Sequence, residues 1–186
     1  MEYNLTISYD KKFVWFRVAK CATRTIYRIL SNVKFDKDGY NLTYEPYKYN
    51  DFFKFAFIRN PFDRLVSCYF NKVHKRENNV LSFDPNMSFK DFVEMVYRTP
   101  DEVANIHFRS QSKLMPKNMD FIGKLEKFDE DINCVLNKLD IQIDNIPRIN
   151  TTTRKHYSYY YNRKLIDMVK QRYEVDLKAF GFHLLS

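Results

Sequence analysis

The period of apolar and polar positions changes several times along the chain, and each change predicts an element. Residues 13–18, Phe-Val-Trp-Phe-Arg-Val, form a short, mostly apolar run rich in β-formers, which predicts a buried strand. Small and polar residues fill 20–25. Ile26, Ile29 and Leu30 then fall at helical spacing, so the unit reads strand, short loop, helix. Residues 35–51 are polar and tyrosine-rich and read as an excursion, and 54–58, Lys-Phe-Ala-Phe-Ile, predict a second strand. Asn60 is placed to cap a helix, with Pro61 at its first position, where a missing N–H costs nothing. Phe62, Leu65, Val66, Tyr69 and Val73 mark one face of that helix.

Residues 74–87 read as a polar loop. Ser88 then caps a helix carrying Phe89, Phe92, Val93 and Val96 on one face. Residues 99–118 read as irregular, punctuated by Pro100 and Pro116, and 120–125 predict a third short strand. Ile132, Val135, Leu136 and Leu139 predict a helix from Asp129 to Leu139, with Cys134 in its core. A loop over 145–163 leads to one long amphipathic helix, Leu165 to Phe180. Strands alternating with helices predict an α/β fold with a short, mostly parallel sheet flanked by helices. With no repeat and no shift in composition, residues 1–186 read as a single domain.

Composition narrows the setting. An apolar share of 45% over 186 residues suffices for a real core. No run of about twenty apolar residues occurs, and Met1 to Leu5 lack the layout of a signal peptide, so the expectation is a cytoplasmic protein without a membrane span. Cys21, Cys68 and Cys134 are odd in number and far apart, against a disulfide framework and against a zinc site. The net charge of +8 favours an anionic partner without choosing among nucleotide, glycan, lipid and nucleic acid.

The two strand-to-helix junctions narrow that choice. In an open parallel sheet, ligands bind beyond the carboxyl ends of the strands. The first junction offers Lys20, Cys21, Ala22, Thr23, Arg24 and Thr25, whose amides and cations make an anion cradle at a helix start. Cys21 reads as a small filler there. The second offers Arg59 and Ser67, both suited to phosphate oxygens. The neighbouring Asp63 and Arg64 read as a local structural pair. The segment holds no glycine, unlike the G-x-x-x-x-G-K-[ST] loop of ATPases, and no strand ends in an acid that would hold magnesium, so no metal is expected.

These segments also carry a resemblance. Arg17-Val-Ala-Lys-Cys-Ala-Thr-Arg-Thr-Ile26 is similar to the 5′-phosphosulfate loop of sulfotransferases that use the donor PAPS (3′-phosphoadenosine 5′-phosphosulfate). Phe57-Ile-Arg-Asn-Pro-Phe-Asp-Arg-Leu-Val-Ser-Cys-Tyr69 resembles their 3′-phosphate motif, in the form seen in the carbohydrate sulfotransferase family. His107-Phe-Arg-Ser-Gln111, Phe121 to Phe128, Asn150-Thr-Thr152 and Tyr173 to Phe182 resemble later segments in the family's order. Two positions depart from the pattern: Ala19 stands where the family has proline, and Arg24 where it has a small hydroxyl residue.

The resemblance implies a P-loop NTPase-like three-layer fold and transfer of a sulfuryl group from PAPS to a hydroxyl, on a glycan or sugar derivative, with PAP (adenosine 3′,5′-bisphosphate) released. It implies that Lys20 contacts the bridging oxygen and stabilises the leaving phosphate. Loop residues 20–25 would hold the 5′-phosphosulfate. Arg59 and Ser67, with Arg154 and Lys155 from the loop before the last helix, would hold the 3′-phosphate. His107 would be the base, with Gln111 orienting it or the acceptor, and Glu126 would be the alternative base. Two other classes stay open: a non-catalytic polyanion or nucleotide binder, and a P-loop-type small-molecule kinase. Specific nucleic-acid binding is not expected.

Overall fold

Alternating apolar positions at Tyr3, Leu5 and Ile7 fix the first strand, β1 (Glu2–Ser8), which places all three in the core. The next strand, β2 (Phe13–Phe16), is buried at every position, as a continuous apolar run requires. The helix α1 (Thr23–Ile29) follows the loop at 17–22. After it come β3 (Lys37–Thr43), β4 (Phe53–Ile58), α2 (Pro61–Tyr69), α3 (Phe89–Arg98), β5 (Phe121–Lys124), α4 (Phe128–Lys138), α5 (Arg163–Arg172) and α6 (Glu174–Phe180). This computed structural model describes residues 1–74, 83–84, 86–147 and 154–184, with only the backbone of His74. The loop expected over 74–87 and the segment Asn150–Thr152 therefore lie largely or wholly outside the described residues.

The chain forms two compact units. The first comprises Met1–Ile58 and Leu114–Thr152. Its sheet has the order β3-β1-β2-β4-β5. The pairs β2–β4 and β4–β5 are parallel, while β1 is antiparallel to both β2 and β3. Four strands thus share one direction and only β1 opposes them, so the architecture is the mostly parallel α/β type that the strand–helix alternation predicts. Phe57 of β4 lies opposite Gly123 of β5, and a Cβ on Gly123 would come within 2.5 Å of the Phe57 ring, which explains the glycine. In α4 the buried face is Ile132, Val135 and Leu136, with Leu139 just beyond.

Two expectations about this unit change. The excursion over 35–51 contains β3, an edge strand with little apolar periodicity. It is ordered by pairing with β1 and by Asp38, which accepts hydrogen bonds from Thr6 and Tyr27, both at 2.6 Å. The buried Arg17 guanidinium also reaches Tyr27 and the Gly39 carbonyl. β1 adds a strand ahead of those expected, and the period-2 spacing of Tyr3, Leu5 and Ile7 matches it. Cys134 is exposed, not core. Two positions past Ile132 is about 200° around a helix, which carries it to the outer face.

The second unit comprises Arg59–Lys113 and Thr153–Ser186. Its core gathers Phe62, Leu65 and Val66 of α2, Phe92, Val93 and Val96 of α3, and Leu165 and Val169 of α5. Asn60 caps α2 as expected: its side chain accepts the Phe62 N–H at 3.0 Å, with Pro61 first in the helix. The same amide donates to the His183 carbonyl at 2.7 Å, and Tyr157 donates to the Leu184 carbonyl at 2.6 Å, which ties residues 183 and 184 to this unit.

The helix predicted from Leu165 to Phe180 is instead two helices that meet at Tyr173, whose φ of −114° leaves the helical range. Apolar periodicity runs through this break, so it could not reveal it. At the break, the buried Tyr173 hydroxyl donates to the Phe108 carbonyl at 2.6 Å, and one turn on the fully buried Asp176 receives two backbone N–H groups.

Candidate functional site

In the first unit, β2 delivers the chain into the loop that precedes α1. Lys20 (φ 71°) and Ala22 (φ 56°) both sit in the left-handed region, which costs a residue with a Cβ roughly 1–2 kcal/mol. The loop is pinned around them: Cys21 is buried with its thiol 3.7 Å from the Ala19 carbonyl, and the Thr23 hydroxyl donates to the Val18 carbonyl at 3.3 Å. Cys21 therefore acts as the filler its size suggested. Lys20 and Thr23 are half-buried, Arg24 is exposed and Thr25 is buried. The first turn of α1 itself contributes no acid that would oppose an anion at that end.

In the second unit, Arg59 begins the segment at the Asn60 cap. Its guanidinium grips Asp63, one turn into α2, through Nε at 2.8 Å and Nη2 at 2.6 Å, both to Oδ2. Arg154 reaches the other oxygen of the same carboxylate. The three side chains are 15%, 12% and 19% exposed, dry enough for the contacts to count for more than surface ion pairs. Ser67 stands one further turn along α2, on the same face as Asp63. The ammonium of Lys155, the residue after Arg154, lies 5.7 Å from the centre of the exposed Tyr159 ring.

One expectation here is corrected. Asp63 and Arg64 are not a pair, since adjacent residues on a helix do not face each other. Asp63 faces Arg59 and Arg154, while the buried Arg64 donates to the carbonyls of Ile106 at 2.9 Å and Arg109 at 2.7 Å. The amide of Gln111 has a partner far along the chain. Fully buried, it brackets the backbone of Arg59, accepting the Arg59 N–H at 2.9 Å and donating to the Arg59 carbonyl at 2.8 Å. Asp176 in turn fixes Gln111 by accepting its N–H at 2.6 Å and that of Ser112 at 2.9 Å.

His107 lies half-buried in the turn-rich segment before Gln111. Its orienter is Asn105, whose Oδ1 takes the His107 N–H at 3.1 Å and meets ring Nδ1 at 2.6 Å. An amide oxygen only accepts, so Nδ1 carries the proton and Nε2 becomes the basic nitrogen of the neutral ring. Asn105 was not anticipated. The only signal was an Asn two residues before a His, a spacing that suits an Asx turn. Glu126 is exposed at the end of β5, and the neighbouring Lys127 pairs with Glu130 at 3.9 Å.

A family model described as the sulfotransferase family matches residues 3–183. The chain belongs to the sulfotransferase family. A solved sulfotransferase from Alicyclobacillus acidocaldarius is similar at 14% identity, over 74% of this chain and 60% of that one, with a TM-score of 0.37. This sulfotransferase-family chain thus spans less than two thirds of that protein's length. No curated protein matches it.

Proposed function

We propose that this protein is a PAPS-dependent sulfotransferase acting on a hydroxyl of a carbohydrate or sugar derivative. One observation carries the reading. Arg59 and Arg154 come from segments far apart in sequence, each expected separately to hold a 3′-phosphate, and they converge on one carboxylate. Asp63 occupies the place of an anion between two arginines, which suits the residues to a phosphate monoester. The strained, cation-bearing loop at 20–25 supports the other half of the reading, a 5′-phosphosulfate. Strain of this kind gathers at ligand-binding sites.

Bound PAPS would supply a sulfuryl group carried on a phosphate leaving group. Lys20 would bring positive charge to the oxygen from which that group departs, and loop residues Cys21 to Thr25 would hold its neighbours. Arg59, Ser67 and Arg154 would hold the 3′-phosphate, with Lys155 at the edge. His107 Nε2 would accept the proton of the acceptor hydroxyl, with Asn105 keeping the ring in the basic tautomer. Cys21, Cys68 and Cys134 stand outside any disulfide, which suits a reducing cytoplasm.

Calorimetry with PAP, ATP and AMP in the absence of magnesium tests the reading. PAP should bind most tightly, and Lys20→Ala or Arg59→Ala should weaken it strongly. Equal affinity for ATP and PAP would sink the sulfotransferase reading in favour of a kinase or general anion binder. With labelled donor and a panel of hydroxylated glycans, His107→Ala should lower transfer by about 10²–10⁴-fold while PAP still binds. Unchanged turnover would pass the role to Glu126 or another base.

A further inference from the structure

Asp63 is the one acid in a group otherwise suited to bind an anion. It could compete with a phosphate for the arginines or prepare them for it. The geometry favours preparation. Oδ2 engages Arg59 along a single edge, through Nε and Nη2, and Oδ1 engages Arg154 through Nη2 alone. Arg154 meets Asp63 through one nitrogen of a guanidinium that carries five N–H donors. One negative charge against two positive ones leaves the cluster net positive, so a phosphate is still attracted. Without the carboxylate, two like charges at low exposure would repel and swing apart. Arg59 is then fixed at both ends, its backbone by the Gln111 amide and its side chain by Asp63.

We propose that Asp63 is the positioning residue of the 3′-phosphate subsite. Its carboxylate gathers Arg59 and Arg154 before the ligand arrives and fixes the edge each presents. The proposal rests on the function argued above, and it adds a residue that contributes affinity without touching the ligand. A pre-arranged pair spares the ligand the cost of ordering two long side chains.

The test compares PAP with AMP, which lacks the 3′-phosphate, on wild type and on Asp63→Asn, by calorimetry. D63N should lose about tenfold in PAP affinity and keep its AMP affinity, so that the preference for the 3′-phosphate shrinks. A purely structural role would lower both affinities together, and that result would overturn the proposal. Unchanged or tighter PAP binding would overturn it too, the latter marking Asp63 as a competitor. If wild type itself shows no preference for PAP over AMP, the failure lies in the sulfotransferase reading on which the proposal stands.

Discussion

Replacing Gln111 with leucine separates two roles for that side chain. Leucine nearly matches glutamine in volume and suits a site with no solvent exposure, so packing changes little. Both hydrogen bonds to the Arg59 backbone are lost. Each is worth about 1 kcal/mol net, and stripping buried peptide groups of a partner adds about 1–3 kcal/mol. The expected cost is about 3 kcal/mol, read as a lower urea midpoint at unchanged slope. Because the bracketed peptide belongs to Arg59, PAP affinity should also fall, by about tenfold. If Gln111 served His107 instead, turnover would collapse while PAP affinity held. Stability within about 0.5 kcal/mol of wild type, with PAP affinity intact, would refute the bracket.

Two further substitutions probe the frame of each unit. Gly123→Ala drives a methyl into the buried Phe57 ring and should destabilise by about 1–3 kcal/mol in chemical denaturation; a neutral result would mean that β4 and β5 can part without cost. Burial opposes the Asp101 carboxylate. Hydrogen bonds from Arg172 and Ser110, with the Arg172 charge, outweigh that and hold its pKa below the usual value. A depressed carboxylate pKa adds stability above the unfolded value that is lost as pH falls through the folded one. Arg172→Ala should therefore cost about 2–3 kcal/mol at neutral pH, and its gap to wild type should narrow below about pH 4, as unfolding at a series of pH values would show.

The parts legible in the sequence are those whose signal is local. Strand β2, the Asn60–Pro61 cap, the Ser88 cap and the face of α4 each follow from a run, a spacing or a turn residue. Edge strand β3 exists by pairing with β1, and no periodicity within Lys37–Thr43 could announce it. The break at Tyr173 was hidden because apolar spacing continues through it, while the groups that occupy it, Phe108 and Gln111, lie more than sixty positions away. In the candidate site, Arg59 and Arg154 could be nominated one at a time from resemblance, but their meeting on Asp63 spans 91 positions. Gln111 stands four residues from His107, but that spacing could not announce its hold on the Arg59 backbone, because spacing does not tell whether an amide will meet a side chain or a backbone.

The glycine-free loop changes one argument of substance. Lack of glycine at 20–25 counted against an ATPase-type loop, because glycine lets the backbone turn through positive φ around phosphates. Yet Lys20 and Ala22 adopt positive φ without it. The shape associated with glycine is reached by residues that bear its cost of roughly 1–2 kcal/mol each, with Thr23 and Cys21 bonded back onto the strand end and the loop. Composition therefore speaks less strongly against a triphosphate than it first did. On the proposed function, the distinction between ATP and a doubly phosphorylated donor rests with the second unit, where the two arginines on one carboxylate would hold a phosphate that ATP lacks. Relative affinity for PAP, ATP and AMP measures that difference directly. Arg154→Gln makes it sharper: it should erase most of the advantage of PAP over AMP and leave ATP binding as it was.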